Sequence, residues 1–287
     1  VTDTTTDLPE NMLKNINLIP CIDPFPLHRR RLHPTPRENP MPVKEFYDKM
    51  RAGSLPTTSQ ANPEEAATLY ESILKENDVD ILHIAFSSGL SGSFNSCRIA
   101  AADVCEKYPD RRIVVVDSLA ATLGQGLLVY KAVQLKEAGK NLDEIAAWLE
   151  ENKYHLVHNF TVDDLFHLHR GGRLSKTAAI VGTMINLKPV LHVDDEGHLV
   201  MLSKVRGRKK SLIGLVDCME KQLGDWKDKN DIIFISHGDC PEDAQFVADL
   251  IKERFGYENF MIDYIGATIG AHSGPGTVAL FYMGDHR

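Results

Sequence analysis

The sequence predicts an α/β protein built as two α/β domains. The first, residues 1–160, carries a mostly parallel, Rossmann-like sheet, and the second, residues 161–287, a mixed sheet with helices. Three observations lead there. In the first half, short apolar runs alternate with longer segments of helical apolar spacing, joined by short links; a parallel sheet with helices on both faces has that pattern. In the second half, strand-like residues 190–194 and 198–205 flank Asp195-Glu196-Gly197, a hairpin signal that makes the sheet mixed. The length, 287 residues, suits two ordinary domains.

Each element follows from its own residues. Residues 1–3 read as the tail of a strand and 16–21 as a second short one. Residues 24–42, PFPLHRRRLHPTPRENPMP, are an exposed loop rich in proline and arginine. A helix over 43–51 stops at Gly53. A second, over 63–77, carries Ala66, Leu69, Tyr70, Ile73 and Leu74 on one face. Residues 81–86 are a strand, and 91–108 a helix with Phe94, Cys97, Ala101, Val104 and Cys105 inward. The β-branched run 113–116 reads as a strand buried on both faces. Helices follow over 121–139 and 142–152, then a strand over 155–162. Residues 163–170 and 177–185 are helical in pattern, as is 208–223 after the hairpin. Residues 232–237, 260–265 and 278–282 are strands, with a helix over 241–255 that opens on an acidic turn.

Composition narrows the function classes. A net charge of −8 argues against non-specific binding to nucleic acid or to anionic lipid surfaces. No run of 18 apolar residues exists to span a bilayer, and no signal peptide is read, so a cytoplasmic location is expected. The five cysteines are odd in number, widely spaced and without a CxxC pair, which predicts a reducing compartment, no disulfide framework and no zinc site. Of the twelve histidines, none forms HEXXH, and His167 and His169 are two apart, on different faces of a helix. No metal or cofactor is expected, and a monomer is the default.

The chemistry concentrates in glycine- and hydroxyl-rich stretches at strand ends. FSSGLSGSFN, residues 86–95, lies between a strand and a helix. In open α/β sheets ligands bind at that edge, and a helix N-terminus offers free N–H groups to an anion. Three readings stand for it: a helix cap, a donor cradle for phosphate or carboxylate, and a catalytic serine. The G-x-S-x-G elbow is not met, because Ser93 stands where the second glycine belongs, and P-loop spacing is absent. LPTTSQ, residues 55–60, offers Thr57, Thr58, Ser59 and Gln60 in a loop before a helix. VVDSLAATLGQG places Asp117 and Ser118 at another strand end, and HRGGRLS sets Arg170 and Arg173 around a Gly-Gly turn. KVRGRKKS, residues 204–211, is a local basic patch, and GATIGAHSGPGTVAL, residues 266–280, is a glycine-rich loop holding His272.

Taken together, five of these pieces resemble the DegV family of bacterial fatty-acid-binding proteins. They are Val1-Thr2-Asp3-Thr4-Thr5-Thr6-Asp7-Leu8-Pro9, Thr58-Ser59-Gln60, the serine-glycine stretch 87–93, Arg170-Gly171-Gly172-Arg173-Leu174-Ser175, and Gly270-Ala271-His272-Ser273-Gly274-Pro275-Gly276. They stand in the family's order and span nearly the whole chain. The resemblance implies the EDD fold, with a long-chain fatty acid between the two domains and no catalysis. It implies carboxylate binding by Thr58, Ser88, Ser91 and His272, which of the two serines makes the bond being left open. It also implies presentation of the acid to a separate fatty acid kinase that makes acyl-phosphate for phospholipid synthesis, with Arg170, Arg173 and Arg206 as kinase contacts. Phe86, Phe160, Ile180, Met184 and Phe281 are the expected tunnel lining. The sequence departs from the pattern at Thr4-Thr5, where the family has Ser-Thr, at Ala61, where proline is common, and in the 24–42 loop. A phosphate-ligand binder and a hydrolase or transferase using a serine of 87–93 are the alternatives.

Overall fold

A computed structural model describes residues 1–9, 12, 20–21, 26–28, 41–174 and 187–287. The first sheet contains β1 (Thr2–Asp3) and β2 (Pro20–Cys21). Next come β3 (Pro26–His28), α1 (Val43–Arg51), β4 (Pro56–Thr58) and α2 (Pro63–Glu76). Then follow β5 (Ile81–Ala85), α3 (Ser93–Lys107), β6 (Ile113–Asp117), α4 (Leu123–Glu137) and α5 (Leu142–Asn152). The second sheet opens with β7 (Leu156–Thr161), followed by α6 (Phe166–Arg170), β8 (Leu187–Val193), β9 (Leu199–Arg206) and α7 (Arg208–Gln222). The chain closes with β10 (Ile233–His237), α8 (Pro241–Phe255), β11 (Phe260–Tyr264), α9 (Ala267–Ser273) and β12 (Val278–Met283).

The first sheet, ordered β2-β1-β5-β6, is parallel throughout. The second, ordered β11-β10-β12-β7-β8-β9, is mixed: only β10 and β11 run parallel. The expected α/β class with one parallel and one mixed sheet therefore holds. β7 belongs wholly to the second sheet, so a division at 160/161 would cut a strand; the change of sheet falls between β6 and β7. The hairpin β8–β9 turns where expected. Asp194 Oδ1 accepts from the N–H groups of Glu196 (3.0 Å) and His198 (2.8 Å), and Gly197 takes φ +80°.

Four readings change. The run 113–116 forms an edge strand next to β5 and only Val116 is fully buried, because its β-branched composition reflects strand propensity rather than two covered faces. Residues 56–58 are a short strand paired antiparallel with β3, where a loop was expected. The glycine-rich stretch 266–280 contains the helix Ala267–Ser273, whose apolar spacing is too short to read. The helix expected over 163–170 begins only at Phe166. The helix expected over 177–185, the tunnel residues Ile180 and Met184, and most of the 24–42 loop lie outside the described residues.

α4 explains how the halves join. Leu123, Gly124, Gln125, Gly126, Leu127, Leu128 and Val129 are all buried, so this helix is enclosed on every side at its start. One apolar cluster holds its leucines together with Ile84 and Val116 of the first sheet and Phe160, Leu191 and Phe281 of the second. At the same helix Gln125 Nε2 donates to Thr2 Oγ1 (3.2 Å) and the Ile84 carbonyl (3.1 Å), and Thr5 Oγ1 donates to Gln125 Oε1 (3.0 Å). The N-terminal segment is thereby tied to the helix that spans both sheets.

Candidate functional site

The site forms where β4, the 87–93 stretch, the 170–173 turn and α9 meet. Arg170 Nη2 donates to the carbonyls of Pro56 (2.7 Å) and Ala271 (3.0 Å), bridging β4 to α9. That bridge sets Thr58 beside His272: Thr58 Oγ1 lies 2.6 Å from His272 Nε2. Burial, and after it the charges of Arg173 and Arg170, bring the His272 pKa down to about 4, so the ring is neutral at pH 7. Its Nδ1 is buried with no hydrogen bond among the described residues. Arg173 Nε donates to the Leu90 carbonyl (3.1 Å) and Nη1 to the Gly171 carbonyl (2.5 Å), which places a cation against the serine-glycine stretch.

That stretch divides its residues between roles. Ser91 Oγ lies 3.0 Å from Ser93 Oγ and accepts from the Ser93 N–H at 3.3 Å, so it closes the turn into α3. Ser93 Oγ in turn accepts from the Ala61 N–H (3.1 Å), next to Gln60. Ser87 is fully buried and its hydroxyl donates to the Gly197 carbonyl (3.0 Å). Ser88 is exposed, and its N–H donates to Asp117 Oδ1 (3.1 Å). The glycines serve protein neighbours. A Cβ at Gly89 would lie 2.6 Å from the Glu196 carbonyl oxygen, and one at Gly92 2.3 Å from Gln60 Oε1.

These groups form the polar end of a cavity of about 860 Å³, its open mouth included. Thr58, Ser59, Gln60, Ser91, Arg173 and His272 line that end. Phe86, Phe160, Leu168, Leu199, Ile269 and Phe281 make most of the apolar wall. Of the residues named from sequence, Thr58, Ser91, His272 and Arg173 come together here. Ser88 does not line the cavity: it points outward because Ser87, not Ser88, packs inward against the 194–197 turn. Arg170 stands behind the wall, holding backbone carbonyls. Arg206 is exposed at the end of β9 and is not part of the lining. Sequence reading left out His158, which shares with Phe160 the inner face of β7; their i, i+2 spacing was the available signal.

The arrangement limits the chemistry. Among the described residues, no serine of 87–93 is hydrogen-bonded to a histidine; His272 pairs with Thr58 instead. Among the described residues one trio of metal-capable side chains converges, Asp3, His83 and Cys97. Its atoms are already engaged: His83 Nδ1 meets Tyr70 OH (2.5 Å), His83 Nε2 meets Asp3 Oδ1 (3.2 Å), and Asp3 Oδ2 accepts from the Phe86 N–H (2.5 Å). A metal there would have to break this buried network, so the donors fit a hydrogen-bond role better.

The fold is thus an α/β protein with one parallel and one mixed main sheet, holding a cavity with a polar end and a largely apolar wall. The DegV family model, whose description reads "uncharacterised protein", matches residues 1–285, and the chain belongs to that family. A DegV domain-containing protein of Clostridium perfringens is 45% identical over 291 residues, covering 100% of this chain and 97% of the relative. The structure resembles a DegV lipid-binding protein from Thermotoga maritima, with TM-score 0.85, 27% identity and coverage of 100% and 98% of the two chains. It also resembles DegV from Bacillus subtilis, a fatty-acid-binding protein, with TM-score 0.82, 29% identity and coverage of 99% and 98%.

Proposed function

We propose that the protein binds a long-chain fatty acid in this cavity. The carboxylate meets Thr58, Ser91, Arg173 and the neutral His272, and the tail follows the wall of Phe86, Phe160 and Phe281. The observation that carries the reading is the cavity's polarity: Thr58, Ser91, the neutral His272 and Arg173 are gathered at one end, while most of the remaining wall is apolar, with a few threonines and His158 set into it. A carboxylate leaving water needs several donors, and Arg173 supplies the opposing charge that His272 does not. Each buried methylene contributes roughly 0.8 kcal/mol, so the tail supplies affinity and the polar end orientation. The fatty-acid binding of the B. subtilis relative and the lipid binding of the T. maritima relative support the ligand class.

The function is binding and presentation rather than catalysis, without a cofactor, by a monomer in the cytoplasm. The acid is handed to a separate fatty acid kinase. Arg206 suits that contact better than Arg170 or Arg173, since it is exposed while they hold backbone carbonyls.

Native mass spectrometry of freshly purified protein, followed by denaturation and lipid identification, tests the ligand. A fatty-acid adduct, or uptake of added oleate or palmitate, is expected. A clean apo mass with no uptake, and protection by inorganic phosphate instead, would replace this reading with a phosphate cradle.

A further inference from the structure

The deep end of the cavity holds a polar group that the head-group site does not use. Thr277 Oγ1 donates to the Ser273 carbonyl (3.1 Å), so the chain passes from the polar end straight into β12. Two rungs of the β7–β12 ladder then line the cavity: Phe160 with Ala279, and His158 with Phe281. The next rung on that face, Leu156 with Met283, does not. His158 therefore stands on the last rung of the wall, about 7 Å along the strand beyond Phe160.

His158 is 2% exposed, and neither ring nitrogen makes a hydrogen bond among the described residues. Phe281 stands edge-on to the ring, 5.3 Å between centroids at 88°. Gly124 of α4 leaves the ring its room: a Cβ there would lie 2.4 Å from His158 Nε2 and 2.8 Å from Phe281. Burial, and next the charge of Arg287, push the pKa well down, against a smaller opposing effect of the Leu156 carbonyl. Even if that carbonyl took one nitrogen, the other would stay unpaired. A neutral imidazole is one donor and one acceptor, and leaving them unpaired in an apolar space is unfavourable. A saturated hydrocarbon tail would pair with neither.

We propose that His158 recognises an oxygen function on the acyl chain, so that the preferred ligand is a fatty acid carrying a chain hydroxyl. This rests on the fatty-acid reading of the cavity. A hydroxyl can donate or accept, so it can pair with either the N–H or the bare nitrogen of the neutral ring, and a site built to hydrogen-bond a substrate hydroxyl discriminates against the analogue without it. The carboxylate stays at Thr58 and His272, and the hydroxyl lies beside His158 on the far rung.

Competition titrations with stearic acid and with hydroxystearic acids substituted at mid-chain and distal carbons test this, on the wild type and on His158→Phe. At least one hydroxy acid should bind the wild type about tenfold or more tighter than stearate, and the ratio should collapse to about one in His158→Phe. The ring ¹⁵N resonances of wild-type His158 should shift with that hydroxy acid and not with stearate; this readout stands if the variant fails to fold. Stearate binding as tightly as every hydroxy acid would overturn the proposal and leave the fatty-acid reading intact. If neither stearate nor any hydroxy acid binds, both readings fall.

Discussion

Thr58 Oγ1 and His272 Nε2 lie 2.6 Å apart although 214 positions separate them in the chain. The contact closes the polar end of the cavity between a strand of the first half and a helix of the second. Replacing Thr58 by valine keeps the shape and removes the hydroxyl. Fatty-acid affinity should fall by about 1–3 kcal/mol, and the melting temperature of the ligand-free protein should also drop, because His272 Nε2 loses its partner. Fluorescence titration and a thermal melt on the same sample separate the two effects.

The two candidate serines should behave differently. Ser88 is exposed and outside the lining, so Ser88→Ala should leave affinity within about 0.5 kcal/mol of wild type. Ser91 lines the cavity, and Ser91→Ala should weaken binding by about 1–3 kcal/mol. Equal effects from both would refute this placement of the carboxylate.

Acid should destabilise the protein through His272. Above about pH 6.5 the ring is neutral whether folded or not. Between about pH 6.5 and about pH 4 the unfolded chain binds a proton that the folded one refuses. Stability therefore drops as pH is lowered through that window. His158, His167, His192 and His237 are depressed in the same direction and add to the slope. Urea midpoints measured across the window should rise with pH, less steeply in His272→Gln.

Gly89→Ala should cost about 1–3 kcal/mol of stability, because its Cβ would meet the Glu196 carbonyl at 2.6 Å and backbone there cannot swing aside. Gly92→Ala should cost less, since the obstacle is the flexible, exposed Gln60 side chain. Chemical denaturation of the two variants ranks them.

Tyr70→Phe tests the buried network. It removes the hydroxyl that meets His83 Nδ1 at 2.5 Å and leaves that nitrogen without its partner inside the protein. A loss of about 1–3 kcal/mol is expected from urea unfolding, with fatty-acid binding preserved.

The elements with strong local signals were legible. The helix 43–51, with Gly53 beyond it, and the helix opening at Pro241 are where the sequence puts them, and Asp195-Glu196-Gly197 does make the hairpin. What local sequence could not carry was tertiary. Nothing in the run 113–116 reveals that no strand covers its outer edge among the described residues. Nothing in FSSGLSGSFN shows that its glycines accommodate Gln60 and the 194–197 turn rather than a ligand, or that Ser88 faces out. Thr58, Ser91 and His272 were named through the resemblance of their motifs to the DegV family, and all three lie in the lining of one cavity. Arg173 was found but read as a partner contact; its place in the cavity wall depends on the Leu90 carbonyl, a contact across 83 positions.

The enclosed start of α4 constrains how a ligand gets in. Its leucines share one apolar cluster with Ile84 and Val116 of the first sheet and Phe160 and Phe281 of the second. A clamshell opening of the two halves would strip that helix from one of them and wet a large apolar surface. A ligand that enters through a local gap while both halves stay shut avoids that cost. The same helix makes the halves melt as one, so a calorimetric scan should show one peak rather than two.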